Sequence, residues 1–259
     1  NKKNLRKMKT LKILKLSISL MAVLFITSCS NDDDNTTPQP QTIADLAIAT
    51  ESLSSLEAAL IRADLVTTLD GGGQFTVFAP TNAAFSTFLA ANNFASVNDV
   101  PVDVLTQVLL NHVISGKLTS SDLTMGYQNT LATYGTTDLN LSMFVDLTNG
   151  VRLNGISSVD LNSANINASN GVIHVVDAVI GIPTITTFAV ADPNFLTLVT
   201  ALTSLTPATP FADVLSRTEG GNGDNLNPPF TVFAPVNAAF DNITVPDEPV
   251  LTQVLLHHV

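Results

Sequence analysis

Apolar residues recur every three or four positions in several stretches of the chain, which is the spacing of amphipathic helices. The first stretch predicts a helix over residues 42–50. The second begins at Ser54, where Ser54 and Glu57 have the spacing of a capping box. The apolar stripe of this second helix consists of Leu56, Leu60 and Ile61. A third stretch predicts a helix over residues 102–110.

A short strand is predicted over residues 75–78, which are aromatic or β-branched. Pro80 ends this strand, and Thr81 or Asn82 is suited to cap a following helix. The side chains expected on the buried face of that helix are Ala84, Phe85, Phe88 and Leu89.

From residue 139 onwards the hydrophobic period changes to two, as in half-buried strands. The alternating stretches are residues 139–143, 151–154 and 157–168. The Asn-Gly pair at residues 149–150 is a hairpin signal between the first two. A second Asn-Gly pair precedes residues 172–180, whose apolar run predicts a long strand. Helices followed by strands predict an α+β fold.

Two phrases occur twice in the same order. Residues 75–85 return at residues 230–240, and residues 105–113 return at residues 251–259, each with a single change. A repeated pair of phrases predicts two copies of one domain. We expect the first copy at residues 42–183 (the first segment) and an incomplete second copy at residues 184–259 (the second segment), with an exposed apolar sheet edge. Asp192 and Pro193 predict a helix start in the second segment.

The front of the chain is typical of an export signal. Residues 1–28 contain seven of the eleven basic residues and no acidic ones, and the apolar run at residues 16–26 is too short to span a bilayer. It ends in Ile-Thr-Ser-Cys, which resembles the lipobox of bacterial lipoproteins. This resemblance predicts cleavage before Cys29 and a membrane anchor through lipid on Cys29, placing the protein at the bacterial outer membrane or cell surface. An ordinary signal peptide with an incidental cysteine is the alternative.

Residues 29–41 are acidic and then rich in Thr, Pro and Gln, which predicts a flexible tether. After removal of residues 1–28, four basic residues oppose 22 acidic ones, so the net charge is 4 − 22 = −18. Such a charge repels nucleic acid and anionic membrane surfaces. We therefore expect no nucleic-acid partner.

Catalytic motifs are not evident. The histidines are His112, His174, His257 and His258. The first two lie in apolar runs, where a histidine is usually structural, and adjacent histidines on a strand point to opposite faces. The chain contains no His-Glu-x-x-His or Gly-x-Ser-x-Gly sequence. The sequence predicts a protein that is not an enzyme and that needs no cofactor and no metal.

Residues 75–85 resemble the first signature of fasciclin-like domains, and residues 170–177 resemble the second. The resemblance implies a wedge with a β-sandwich-like sheet core and packed helices, found outside cells and associated with adhesion. The positions that carry it, expected to be mainly structural, are Phe75, Pro80, Asn82, Phe85, His112, Asn170, Gly171, His174, Phe230, Pro235, Asn237, Phe240 and His258. The family often has a Tyr-His pair where this chain has Asn111-His112 and His257-His258, so binding through that pair is not expected.

The sequence thus predicts a lipid-anchored tandem protein that recognises matrix, polysaccharide or another cell-surface partner, with a glycan or a surface protein as ligand. Two alternatives stay open at this point: a polymer-processing enzyme of the cell envelope, and a structural spacer without a specific ligand.

Overall fold

The computed structural model describes residues 39–135, 137–220, 223 and 226–259. The predicted signal peptide, Cys29 and most of the predicted tether lie outside these residues. The α-helices are α1 (Ile43–Ala49), α2 (Ser54–Arg62), α3 (Val66–Asp70), α4 (Asn82–Ala91), α5 (Val102–Leu110), α6 (Ile185–Ala191), α7 (Leu196–Thr203), α8 (Phe211–Leu215) and α9 (Glu248–Leu256). The strands are β1 (Phe75–Pro80), β2 (Val113–Ser115), β3 (Gly126–Thr133), β4 (Asn140–Asp146), β5 (Arg152–Leu153), β6 (Ser157–Ser158), β7 (Ile166–Ala168) and β8 (Gly171–Val176).

The helix starts show how local sequence sets the elements. Helix α1 begins at a capping box in which the Thr42 side chain accepts the Asp45 N–H and Asp45 accepts the Thr42 N–H. Helix α4 begins at Thr81, whose hydroxyl accepts the Ala84 N–H at 3.2 Å. The predicted helices over residues 42–50 and 102–110 are confirmed.

The predicted cap at Ser54 is wrong. A 3₁₀ turn at Glu51–Leu53 runs directly into α2, whose N-cap Leu53 provides no side-chain hydrogen bond. The Ser54 hydroxyl accepts instead from the Asn82 amide at 3.0 Å. The predicted stripe is also wrong at Ile61, because this side chain is 59% exposed.

The strands form one mixed sheet in the order β6-β5-β4-β3-β2-β1-β8-β7. All neighbouring strands are antiparallel except β1 and β8, which are parallel. Their register runs from Phe75 beside Gly171 to Pro80 beside Val176, so β1 has partners along both edges. The predicted α+β fold is confirmed.

Alternate residues of β1 enter two apolar clusters. Val77 and Ala79 pack in the cluster that contains the buried faces of α1, α2, α4 and α5. Phe78 points the other way, into a cluster formed mainly by strand residues: Ile114, Met143, Val145, Leu153 and Val176. A sheet buried on both faces explains why β1 is almost wholly apolar.

The sequence pattern misses strand β3 and makes strand β8 too long. Strand β3 carries no apolar alternation, because its most deeply buried residues are the small or polar Thr130 and Ala132. The long strand predicted over residues 172–180 ends at Val176, because Asp177 turns away and exchanges hydrogen bonds with the backbone of Ser158. The hairpin predicted at residues 149–150 does join β4 to β5, with Gly150 at φ +86°.

The second segment is helical in the part that the structure describes. Residues 230–235 are not assigned to a strand, so the exposed apolar sheet edge expected there is not found. His257 and His258 follow helix α9 rather than lying on a strand. The predicted cap at Asp192 is confirmed for the 3₁₀ turn Pro193–Phe195, because its carboxylate accepts the Asn194 N–H at 2.9 Å; this turn leads into α7.

Candidate functional site

Asn82 joins the start of α4 to the start of α2. Its side-chain oxygen accepts the Ser55 N–H at 2.8 Å, and its amide donates to the Glu51 carbonyl at 3.0 Å. One amide side chain therefore satisfies an N–H that the start of α2 leaves without an intrahelical partner and adds a bond to a carbonyl of the preceding 3₁₀ turn. We call this arrangement the asparagine clamp.

His112 is buried between α5 and the segment that follows β8. The Ile180 N–H donates to its Nε2 at 2.9 Å, so Nδ1 carries the proton and donates to the Val108 carbonyl at 2.7 Å. Burial lowers the pKa of His112 to about 4, although the Val108 carbonyl favours the protonated ring. Both ring nitrogens are occupied, so His112 is a neutral cross-link and not a free base.

Asn111 extends this cross-link. Its side chain is fully buried, donates to the Gly181 carbonyl at 3.0 Å and accepts from the Thr130 hydroxyl at 3.2 Å. Asn111 is therefore an internal amide, fully removed from the protein surface. No contact surface remains at this position.

His174 of β8 has the same character. The Asn165 N–H donates to Nδ1 at 3.3 Å, and Nε2 donates to the Leu118 carbonyl at 2.9 Å. Its ring stacks on Phe78 with centroids 5.6 Å apart, and burial lowers its pKa. This histidine, too, has both nitrogens bonded.

Asn170 and Gly171 set the approach of β8 to β1. The Asn170 side-chain oxygen accepts the Ile43 N–H at 2.9 Å, and its amide donates to the Leu69 carbonyl. A Cβ at Gly171 would lie 2.0 Å from the Phe75 carbonyl oxygen. Only glycine fits at this position, which gives the Asn-Gly pair a purely structural reason.

The same hydrogen bonds recur in the second segment. The Asn237 side chain accepts the Thr197 N–H at 2.9 Å and donates to the Pro193 carbonyl at 2.9 Å. Asn82 makes the same two contacts with Ser55 and Glu51. His258 Nδ1 bonds the Val254 carbonyl at 2.9 Å, as His112 bonds Val108. The two backbone contacts of the asparagine clamp and the Nδ1 contact of His112 thus have counterparts in the second segment.

Residues 230–235, which correspond in sequence to β1, differ from β1 in pairing and burial. In the first segment the Phe78 N–H donates to the His112 carbonyl at 2.9 Å, and the Phe233 N–H donates likewise to the His258 carbonyl at 2.8 Å. Among the described residues, this is the one backbone hydrogen bond made by residues 230–235. Phe78 is fully buried, whereas Phe233 is 74% exposed. A single bond at one edge does not make residues 230–235 a strand.

An open apolar groove of about 300 Å³ lies beside residues 230–235. Its lining includes Ile185, Ala189, Leu198, Leu202, Val232 and Ala234. The matching residues of the first segment enclose only about 10 Å³ and are Ile43, Ala47, Leu56, Leu60, Val77 and Ala79. We call the larger space the apolar groove.

Tyr127 of β3 connects the two segments. Its hydroxyl donates to the Asp192 carboxylate at 3.1 Å, and its ring packs on Phe144 and, edge-on, on Phe188. Burial, together with the hydrogen bond and charge of Asp192, raises the pKa of Tyr127 to about 12. Tyr127, Phe144, Phe188 and Asp192 are called the junction below.

Within the described residues, no group of three or more His, Cys, Asp or Glu side chains is arranged to hold a metal ion. No single helix of the described part has the length and hydropathy to cross a membrane. The helices Ile185–Ala191 and Pro193–Thr203 meet the length and hydropathy criteria only when taken together, and they are bent by 94° relative to each other.

Comparisons with known proteins agree with the arrangement of the first segment. The model of the fasciclin domain matches residues 51–183. Protein sll1483 of Synechocystis sp. is 38% identical over 144 residues, which are 56% of this chain and 75% of that protein. Human periostin is 29% identical over 218 residues, which cover 84% of this chain but 24% of periostin.

A solved FAS1 domain pair from the insect cell adhesion molecule Fasciclin I has a TM-score of 0.42 and 18% identity, covering 65% of this chain and 57% of that one. The family model alone extends over more than half of the sequence and includes the asparagine clamp, both buried histidines and the Asn-Gly pair of the first segment. The chain belongs to the fasciclin domain family.

Proposed function

We propose that this protein is a lipid-anchored surface protein with two fasciclin modules, residues 42–183 and 184–259, that binds a glycan or a protein on a matrix or another cell. The observation that carries the proposal is the double set of framework hydrogen bonds. Asn82 and Asn237 make the same two contacts, and His112 and His258 make the same first contact. Two modules in tandem favour binding to extended surfaces, because the second contact becomes intramolecular.

The polar side chains of the signature residues are hydrogen-bonded inside the protein. His112 and His174 each have both ring nitrogens bonded, and Asn111 and Asn170 use both ends of their amides. A general base or a nucleophile needs a reactive atom that faces substrate. Recognition is therefore assigned to the module exteriors rather than to the motif residues.

The anchor is supported by the residues before the first module. Lipid on Cys29 would be followed by twelve residues before Thr42, which span at most about 40 Å when extended. A net charge of 4 − 22 = −18 keeps the modules away from the anionic surface to which they are attached. The tether thus presents the modules outward.

The anchor is tested by fractionating cells that produce the full chain or its Cys29→Ala variant. The wild type stays in the membrane fraction and incorporates labelled fatty acid, whereas the variant is released. Equal membrane retention of both forms would contradict the anchor.

The binding function is tested with the full mature chain carrying Cys29→Ala, applied to arrays of glycans and matrix proteins. Saturable binding to one ligand class is expected, with heat-denatured protein as the control. Absence of any saturable ligand favours a spacer, and turnover of an envelope polymer favours an enzyme; either result overturns the proposal.

A further inference from the structure

Asparagine followed by glycine occurs at three places within the described residues, and the three pairs differ in exposure. Asn149-Gly150 lies in the turn between β4 and β5, and both of its residues are exposed. Asn154 and Asn170, which begin the other two pairs, are only 2% and 7% exposed. A fourth pair, Asn222-Gly223, lies partly outside the described residues. Of the three, Asn149 alone is accessible to solvent.

The side-chain hydrogen bonds separate the three pairs in the same way. The Asn154 side-chain oxygen accepts the Phe144 N–H at 2.7 Å. Asn170 uses its side-chain oxygen, which accepts the Ile43 N–H at 2.9 Å, and also its amide nitrogen. The Asn149 side chain has no hydrogen-bond partner within the described residues. Its amide is therefore free to turn toward the next peptide nitrogen of the chain.

The space around the three glycines differs as well. A Cβ placed on Gly150 would meet no atom of a non-adjacent residue within 4 Å, so no other part of the protein crowds this glycine. A Cβ on Gly155 would lie 3.2 Å from the Ala191 Cα. A Cβ on Gly171 would lie 2.0 Å from the Phe75 carbonyl oxygen. The two buried pairs are thus packed against backbone, whereas the exposed pair has room to move.

We infer that Asn149 is a site of spontaneous deamidation, with water as the co-reactant. The Gly150 backbone nitrogen attacks the side-chain carbonyl carbon of Asn149, Cγ. A bond forms between that nitrogen and Cγ, the bond from Cγ to Nδ2 breaks, and the amide leaves as ammonia with the proton of the Gly150 N–H. The product is a cyclic imide. Water then opens the ring: attack at the main-chain carbonyl carbon leaves isoaspartate, and attack at Cγ leaves aspartate.

The fold protects the two buried pairs from the same reaction. Ring closure would remove the amide nitrogen with which Asn170 donates to the Leu69 carbonyl. It would also turn the Asn154 oxygen away from the Phe144 N–H. Losing buried hydrogen bonds is costly. These pairs therefore react only when the surrounding structure opens, and such openings are sparsely populated.

The turn at Asn149 tolerates the products. Strands β4 and β5 are held next to it by the backbone pairs Val145–Leu153 and Asp146–Arg152, in which Asn149 takes no part. Isoaspartate adds one carbon to the main chain of an exposed turn, and both products add one negative charge. Deamidation thus changes the charge of the module exterior, to which recognition is assigned, and leaves the strand pairing in place.

The test incubates the full mature chain with Cys29→Ala at mildly alkaline pH, where the glycine N–H loses its proton more readily. Mass spectrometry of proteolytic peptides locates each deamidated residue, and methylation by an isoaspartyl methyltransferase identifies isoaspartate. Asn149 is expected to deamidate at least about tenfold faster than Asn154 and Asn170. In concentrated urea this difference is expected to be largely lost, because it comes from the fold and not from the local sequence.

Two variants sharpen the test. Asn149→Gln keeps an amide but is one carbon longer, so it closes the imide ring far more slowly. It is expected to remove the isoaspartate signal at residue 149 and to leave the rates at Asn154 and Asn170 unchanged. Asn149→Asp carries the charge of one product and is expected to match the wild type in circular dichroism and in its thermal midpoint.

Several outcomes overturn the inference. They are equal rates at the three sites in the folded protein, a lead of Asn149 that persists unchanged in urea, and an Asn149 that stays intact in the folded chain. Formation of aspartate without isoaspartate would exclude the imide, and unfolding of Asn149→Asp would contradict the tolerance of the turn. None of these results depends on the adhesion ligand, so the inference fails or stands separately from the proposed function.

Discussion

Two nearly identical stretches of sequence adopt different structures in this molecule. Residues 75–85 and 230–240 differ at a single position, yet the first begins with a central, buried strand and the second with residues that are not assigned to a strand. Phe78 is fully buried and Phe233 is 74% exposed. The difference lies in the neighbours, because β1 lies between β2 and β8, whereas residues 230–235 have one backbone bond to His258 among the described residues.

The contacts that the two segments share differ from those they do not share in how far apart the partners lie in the sequence. The asparagine clamp forms in both segments, since it joins a helix start to residues 27–44 positions earlier. The β1–β8 pairing joins residues about a hundred positions apart and occurs once within the described residues. Helix starts therefore form from nearby sequence, while a strand needs a partner that local sequence does not supply.

The largest expected effect comes from the matched pair Phe78→Ala and Phe233→Ala. Removing the buried Phe78 ring leaves a cavity and lowers the free energy of unfolding by about 3–5 kcal/mol. Removing the exposed Phe233 ring changes it by less than about 0.5 kcal/mol. Urea unfolding measures both, and similar losses would show that residues 230–235 are as buried as β1.

The next largest effect is a pH dependence of the free energy of unfolding. Because the pKa of His112 falls from 6.5 in the unfolded chain to about 4 in the folded protein, the unfolded state binds the proton first as the pH drops. Stability is then lost between about pH 6.5 and 4, by about 3 kcal/mol in total. His174 shifts in the same direction.

This dependence is measured by urea unfolding between pH 7 and 4. A His112→Gln variant is less stable at pH 7 but loses less stability on acidification than the wild type. An unchanged pH slope in the variant would mean that His112 is protonated, or accessible to solvent, in the folded protein.

A smaller effect distinguishes the two clamps. Asn82→Ala leaves the Ser55 N–H without its partner, removes the amide bond to the Glu51 carbonyl and costs about 2 kcal/mol. Asn237→Ala costs about 1 kcal/mol, because Asn237 makes only the two backbone contacts within the described residues, whereas Asn82 also donates to the Ser54 hydroxyl. Hydrogen exchange should show the first loss in α2 and the second in α7. Loss confined to α2 in both variants would refute the duplicated clamp.

The smallest effect concerns the junction. Tyr127→Phe removes one hydrogen bond to Asp192 and costs about 1 kcal/mol, while keeping the ring contacts with Phe144 and Phe188. Tyr134→Phe is the matched control, because Tyr134 is 52% exposed. Thermal unfolding compares the two, and an equal shift in both would deny Tyr127 a role in joining the segments.

Much of the helical part was predictable. The apolar spacing located α1 and α5, and the Thr-Asn pair located the start of α4. The capping pattern at Ser54 gave a wrong prediction, because a 3₁₀ turn already begins the helix before Ser54. The Ser54 hydroxyl accepts a hydrogen bond from Asn82 instead. Ile61 misled because apolarity alone does not say which residues on a short helix face the core.

The sheet and the site were harder to predict. Strand β3 buries small and polar residues, so it leaves no hydrophobic signal. The partners of His112 lie 4 and 68 positions away, and only the first distance is visible as a helical spacing. The junction rests on Tyr127 and Asp192, which are 65 positions apart and share no motif. Long-range contacts of this kind come from topology rather than from local pattern.

Hydrogen exchange of the backbone amides of residues 75–80 and 230–235, followed in one sample of the mature chain, tests the central claim most directly. The amides of β1 should exchange at least about a thousandfold more slowly than those of residues 230–235, since only β1 is paired on both edges. Equal and strong protection of the two stretches would contradict the account.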